Sequence, residues 1–432
     1  MINICTFLAI VISIAYGFKT KRNAGFLAMV FAYLIGCFAL DMKPSEVIAC
    51  WPIKIFLYVL SVSLFFNFAA QNGTLEKLSL TILYKFRKAP KSLLFVLFFV
   101  NLIMAAMGVG NMPVVALFAP IMIMICYKTG IDFLIGAIVI NAGSIAGANF
   151  MTSVNGVVFR SLMDEVGFSE KSFMYSAIIC VLSIILPLII LITYTLFSNK
   201  KHDVFSEEVV LEKPEAFTKE QIHNLVLMGI MLLLVLIIPI LKSILPDVEV
   251  LSFINSKIDI AFVSIIFTVI ALLMKLGDEK KVIAKAPWNT LLLLGGVGML
   301  INIATKAGLV EVLAGWISGN IPAVILPVMF ALVGGIMSFF SSTIGVVCPA
   351  IFPMIPAIAS SSGVSPMVLF VSLVLGAQAA AISPFSAAGS MLVGACTDEK
   401  VYNKLFKEQI SIAIPIQLTL ATATAFILGI IF

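Results

Sequence analysis

Long apolar runs alternate along this chain with short segments that carry nearly all of its charge. A helix that crosses the hydrocarbon of a bilayer needs about 20 mostly apolar residues. Ten runs are read on that basis as crossing helices, approximately Asn3–Phe18, Ala24–Leu40, Trp51–Ala70, Ile131–Val157, Phe173–Phe197, His223–Leu241, Ile258–Lys275, Trp288–Thr305, Pro366–Gly394 and Glu408–Phe432. Two further apolar segments, Ser92–Cys126 and Pro322–Ala359, are too long for one helix and are interrupted near the middle. The first breaks at Gly108-Val109-Gly110-Asn111-Met112-Pro113, the second at Ser341-Ser342-Thr343-Ile344-Gly345. Each reads either as two short crossings or as a re-entrant hairpin, and both options preserve the parity of the topology.

Composition changes the picture from amphipathic to lipidic. Of 432 residues, 61% are hydrophobic and 11% charged, with a mean hydropathy of +1.16. A soluble domain is about 45–50% apolar and about 25% charged, so a soluble enzyme, a nucleic-acid binder and a disordered regulator are excluded. The seven cysteines are scattered without a C-x-x-C pair, which gives no support to a disulfide or metal framework. No basic segment precedes the first apolar run and no small-residue cleavage site follows it, so that run is read as a membrane helix and not a cleaved signal. Of the 27 basic residues, 20 fall on the side reached by the first helix and 7 on the other. Basic loops stay in the cytoplasm, which puts both termini outside and the Ser198–Gln221 stretch inside, in a cytoplasmic membrane.

The chain also resembles itself. At a spacing of 235, the segment Asn67–Leu78 meets Asn302–Leu313 with Asn, Ala, Gly, Glu and Leu recurring, and Pro52 meets Pro287. At a spacing of 233, Pro120 meets Pro353, Gly143 meets Gly376, Ser153 meets Ser386 and Gly156 meets Gly389. The third crossing then matches the eighth, and five crossings between them invert the second half. The expected fold class is an all-α polytopic membrane protein, with about 10 transmembrane helices and two re-entrant hairpins in two inverted-topology repeats. The first repeat covers residues 1–197 with hairpin 92–126. Residues 198–222 form a cytoplasmic linker. The second repeat covers residues 223–432 with hairpin 322–359. Inverted repeats with broken helices are the build of secondary transporters, whose sites lie near the bilayer midplane.

Lipid cannot satisfy a freed N–H or C=O, so a helix break at membrane depth must be buried in protein or line a wet cavity. Four such breaks are expected: the two hairpin tips, Gly147–Gly156 and Ala381–Ser390. They supply hydroxyls, amides and half-helix termini, and are expected to converge on one polar cavity. Asn111, Thr152, Ser153 and Asn155 provide one half, and Ser341, Ser342, Thr343, Ser383 and Ser386 the other. A carboxylate would be held there by neutral donors without lysine or arginine. All 22 acidic residues fall in loops or at helix ends. Proton-driven carriers often use an intramembrane carboxylate or His relay, so coupling to Na⁺ is favoured. His202 and His223 read as solvated, and Arg160 as snorkelling at the outer interface.

At these residues the chain resembles the ion transporter superfamily, and within it the divalent anion/Na⁺ symporter group. The nearest likeness is to MatC-type dicarboxylate (malonate) carriers, whose N-terminal half looks like the stretch from about Asn72 to Gly167, and through the repeat the likeness extends over nearly the whole chain. The symporter group carries a Ser-Asn-Thr triplet at each hairpin tip. Here Gly110-Asn111-Met112 keeps only the Asn, and Ser341-Ser342-Thr343 keeps Ser and Thr. The resemblance implies two Na⁺ sites, each between a tip and the break of the following helix. Carried over, these are Gly110, Asn111 and Asn149, and Ser341, Thr343 and Ser383. It implies Na⁺ as coupling ion and no other cofactor, a small organic anion as substrate, an elevator motion and a homodimer. The segment Thr74–Lys88 would be an interfacial arm helix. An anion exporter or Na⁺/H⁺ antiporter of the same superfamily is the alternative. A membrane-embedded enzyme is disfavoured, because the spans hold no Ser–His pair, paired Asp or His-rich metal site.

Overall fold

The structure is a computed structural model and describes residues 2–20, 22–86, 90–197, 213–245, 248–396 and 398–432. Residues 198–212 of the expected linker, with His202, lie outside the described residues, as do Arg87 and Lys88 of the expected arm helix. Among the described residues no strand occurs. The chain runs α1 Ile2–Thr20, α2 Ala24–Leu34, α3 Pro44–Ile48, α4 Ile53–Gln71, α5 Thr74–Phe86, α6 Pro90–Met104, α7 Asn111–Thr129 and α8 Phe133–Ala148. It continues with α9 Val154–Glu165, α10 Ser172–Phe197, α11 Lys219–Ile244, α12 Glu249–Lys257, α13 Ile260–Leu273, α14 Glu279–Ala284, α15 Trp288–Lys306 and α16 Leu309–Asn320. The last helices are α17 Leu326–Phe340, α18 Cys348–Ile351, α19 Ile355–Ser362, α20 Pro366–Ala379, α21 Ala387–Gly394, α22 Glu399–Glu408 and α23 Ile414–Ile431.

Among the described residues, five helical stretches are long and apolar enough to cross a membrane: Ile53–Gln71, Ser172–Phe197, Trp288–Lys306, Thr343–Ser362 and Glu399–Ile431. Shorter apolar helices accompany them, including Ala24–Ala39, Phe133–Ala148 and Pro366–Ala379. Large apolar side chains face outward on many of these helices, with Leu273 79% and Phe262 65% exposed. Exposure on this scale marks a surface whose solvent is lipid. The chain is a multi-pass membrane protein.

Helix boundaries repeat at the spacings seen in the residues. Helices α4 and α15 begin and end 235 residues apart, and α3 and α14, like α5 and α16, begin 235 apart. Helices α8 and α20, and α9 and α21, begin 233 apart. The left-handed turns follow suit: Gly73 and Gly308 have φ of 72° and 80°, and Gly130 and Gly363 have φ of 65° and 74°. Different chemistry reaches the same ends. Asp132 caps α8 by accepting from Leu134 N at 2.8 Å, whereas α20 starts with Pro366 at its first position, where proline costs no hydrogen bond.

The contacts divide the chain into two compact units, each assembled from separate stretches: Met1–Phe56, Val158–Leu186 and Trp288–Phe432 in one, Leu57–Val157 and Pro187–Pro287 in the other. In the first, α2 crosses α15 so closely that a Cβ on Gly296 would lie 2.1 Å from the Gly25 carbonyl oxygen. Ala28, Ala32, Val297, Leu300 and Ile303 pack about that crossing. Its second core is aromatic, with Phe370 edge-on to Phe352 at 4.6 Å and to Phe168 at 5.5 Å. In the second unit, the hairpin helices α6 and α7 both pack on α8.

The recurrent asparagines have a common task. Asn67 Nδ2 donates to the Val282 carbonyl of α14 at 3.1 Å, within the second unit. Asn302 Nδ2 donates to the Cys50 carbonyl just past α3 at 2.8 Å, within the first. Helices α3 and α14 occupy matching positions, so each asparagine anchors a neighbour of the same kind. At the end of α4, Gln71 Oε1 accepts from Asp278 N at 3.0 Å and Gln221 Nε2 donates to the Asn72 carbonyl at 3.0 Å.

Candidate functional site: two pairs of broken helices

All four helix breaks expected from the residues are present. The first hairpin leaves α6 through a π-helical turn, Ala105–Val109, and kinks at Met107 and Gly108 before α7 starts at Asn111. Gly108 (φ 86°) and Gly110 (φ 80°) both have positive φ. A Cβ on Gly108 would also sit 2.0 Å from the ring of Phe66, so only glycine fits this corner. The second hairpin turns differently. Ser341 (φ −138°) and Ser342 (φ −91°) are extended, a conformation open to any residue. After a π-helical turn at Thr343–Val347, its return limb is divided into α18, a 3₁₀ turn at Phe352–Met354 and α19. Pro349, Pro353 and Pro356 stand near the start of each piece, where proline is tolerated.

The breaks after α8 and α20 are near copies. Phe150 N donates to the Gly147 carbonyl at 3.0 Å, and Ser153 N to the Phe150 carbonyl at 2.8 Å. Their counterparts 233 residues on, Ser383 N to Ala380 and Ser386 N to Ser383, measure 2.9 and 2.8 Å. Gly156 and Gly389 lie so near the preceding loop that a Cβ would be 2.1 Å from Phe150 O in one and 2.0 Å from Ser383 O in the other.

In the unit holding the first hairpin, Asn149, Thr152 and Ser153 are fully buried and Asn155 nearly so. Asn155 Nδ2 donates to Asn149 Oδ1 at 3.1 Å. Ser153 Oγ donates to the Ala105 carbonyl at 2.6 Å, joining this break to the kink of the hairpin. A Cβ on Gly110 would lie 3.6 Å from Val154 Cγ2, so the tip stands beside the start of α9. Gly110, Asn149, Ser153 and Asn155 are thus gathered, with half-buried Asn111 at the first position of α7. Thr152 Oγ1 is buried with no hydrogen-bond partner.

In the other unit, Ser341, Ser342 and Thr343 are half-buried. Ser342 Oγ accepts from Gly345 N at 3.1 Å, Ser341 Oγ donates to the Met337 carbonyl at 2.6 Å, and Thr343 shares a 2.9 Å hydrogen bond with Ser338 Oγ. Ser383 is fully buried, and its Oγ accepts from Phe385 N at 3.2 Å. Ser386 caps α21, accepting from Gly389 N at 3.0 Å and donating to the Ala381 carbonyl at 2.7 Å. The rings of Phe339 and Phe385 meet at 5.7 Å and bring hairpin and break together.

Several polar residues at these depths escaped the sequence reading. Ser338 sits beside the second tip. In α6 and α8, Asn101 and Asn141 are buried, with Asn101 Oδ1 and both polar atoms of the Asn141 side chain unpartnered. Isolated amides inside apolar runs give no local break, so the only signal was their polarity where lipid-facing residues are apolar. Arg160 lies with its guanidinium 5.3 Å from the Phe173 ring centroid, a cation–π contact, and His223 is exposed. Among the described residues no group of three or more His, Cys, Asp or Glu gathers in a way that could hold a metal ion. The donors on offer at the breaks are hydroxyl, amide and carbonyl oxygens, ligands suited to a small hard cation.

Residues 1–148 match the family model described as the N-terminus of the dicarboxylate carrier protein MatC. The match begins at the first residue and ends with α8, so it reaches further toward the N-terminus, and less far beyond α8, than the resemblance read over Asn72 to Gly167. No curated protein matches the chain. Among solved structures, the YdaH transporter of Alcanivorax borkumensis matches with a TM-score of 0.60 and 17% identity, over 94% of this chain and 96% of that one. At that identity the likeness is one of fold.

Proposed function

We propose that this protein is a secondary active transporter that carries a small dicarboxylate or related organic anion across the cytoplasmic membrane by Na⁺ symport. The observation that carries the reading is the pair of hairpin-and-break assemblies within a membrane protein, each offering neutral oxygen donors. Broken helices survive in lipid only where protein or a wet cavity satisfies them, and transporters use such breaks to hold ions and anionic groups. The match of residues 1–148 to a dicarboxylate carrier model narrows the substrate class. The likeness to a solved transporter supports the same general role.

Two inverted-topology repeats, residues 1–197 and 223–432, are supported by helix boundaries that recur at spacings of 235 and 233 and by the 20:7 division of basic residues. On this reading the termini lie outside and the linker inside. Gly110, Asn111 and Asn149 would hold one Na⁺, and Ser341, Thr343 and Ser383 another. Asn111, Thr152, Asn155, Ser341, Ser342, Thr343 and Ser386 would surround the carboxylates. Motion is of the elevator type, in a homodimer. The test is uptake of labelled malonate, succinate and citrate into proteoliposomes. Uptake should follow an inward Na⁺ gradient, and full uptake on a pH gradient alone in Na⁺-free medium would overturn the coupling.

A further inference from the structure

Ser153 and Ser386 occupy matching positions at the starts of α9 and α21, yet their hydroxyls do different work. A serine before a helix ordinarily accepts from an amide of the first turn, and Ser386 does so with Gly389 N. Ser386 sends its proton only five residues back, to the Ala381 carbonyl, whereas Ser153 sends its proton out of its own segment, to the Ala105 carbonyl 48 residues earlier. That carbonyl begins the π-helical turn whose kink at Met107 and Gly108 ends the regular ladder. Ser153 and Ala105 are both fully buried, so water cannot replace the bond, and losing a hydrogen bond to a buried carbonyl is costly. Beside it, Gly110 lies against Val154 and Asn155 is bonded to Asn149.

We infer that Ser153 is a positioning residue: its hydroxyl ties the first hairpin to the break after α8 and so sets the geometry of the Na⁺ ligands Gly110, Asn111 and Asn149, without itself touching the substrate. The inference rests on the symport reading and refines it, since Ser153 leaves the set of substrate donors. The bond uses the only proton of the hydroxyl, and that proton points at a backbone acceptor.

The test combines transport with an assay that needs none. In proteoliposomes, Ser153→Ala should raise the half-saturating Na⁺ concentration about tenfold, the effect of removing one buried hydrogen bond. The half-saturating succinate concentration at saturating Na⁺ should stay within about twofold. Ser153→Thr, which keeps the hydroxyl, should restore Na⁺ affinity. In nanodiscs without substrate, hydrogen–deuterium exchange over residues 105–112 should be about tenfold faster in Ser153→Ala and near wild type in Ser153→Thr. If Ser153→Ala fails to fold, Ser153→Cys, which is slightly larger than serine and keeps only a weaker donor, replaces it in both assays. A rise in half-saturating succinate with unchanged Na⁺ dependence would make Ser153 a substrate ligand and overturn the inference. Unchanged exchange in the hydroxyl-less variant would overturn it too. If wild type carries no Na⁺-driven uptake, the symport reading fails, and the exchange comparison alone decides whether the tie exists.

Discussion

The two hairpin tips occupy equivalent stations but are built by opposite means. At a spacing of 233, Gly108-Val109-Gly110 stands opposite Ser341-Ser342-Thr343. The first turns on two glycines with positive φ and leans on a distant hydroxyl, Ser153. The second turns on extended serines whose hydroxyls satisfy their own segment, through Met337 O and Gly345 N. The lesson is that the backbone break is the shared requirement, while the means of satisfying it differ. A glycine corner offers mainly carbonyls and amide protons. A serine corner adds hydroxyls that can accept as well as donate, so the two tips present different polar groups.

The framework itself can be broken at either copy. Gly156→Ala and Gly389→Ala each drive a Cβ to about 2 Å from a carbonyl oxygen, and both should abolish folded protein in size-exclusion chromatography. Tolerance of one but not the other would end the equivalence of the two breaks. Next in size, Asn111→Ala and Thr343→Ala each remove a donor facing a charged ligand in the proposed site, worth about 1.5–3 kcal/mol. Each should weaken apparent Na⁺ or succinate affinity about tenfold or more, with thermal stability largely kept. The comparison sharpens if Asn111→Ala acts on one ligand and Thr343→Ala on the other.

Ser386→Ala removes a helix cap, about 1 kcal/mol, and should lower the melting temperature by ~2 °C. Ser386→Asn should recover most of it, since Asn caps as well as Ser. The smallest effect is chemical. Cys396, just beyond α21, has its thiol pushed up to about 11, first by burial and then by the Asp398 charge. The thiolate is the reactive form, so maleimide should leave Cys396 unlabelled at pH 7.5 and modify it only as the pH approaches 11. Rapid labelling at neutral pH would show that the end of the second assembly is more open than its packing indicates.

The residues themselves marked where the helices run and where they break. Lipid enforces apolar runs of spanning length, and glycine, proline and serine clusters interrupt them for local steric reasons. That is why α4 and α15, both tips and the breaks before α9 and α21 were all legible. The recurring spacings were legible for the same reason. Short helices such as α3 and α14 were not, because five or six residues carry no resolvable period. Nor was the division into compact units, which draws separate stretches of chain into each. Tertiary structure alone decided what each hydroxyl does. Ser153 and Ser386 are the same residue in the same local turn, and one finds Ala105 while the other caps its own helix. A hydrogen bond goes to whichever unsatisfied group the fold brings within about 3 Å, and for Ser153 that group lies 48 residues away in sequence.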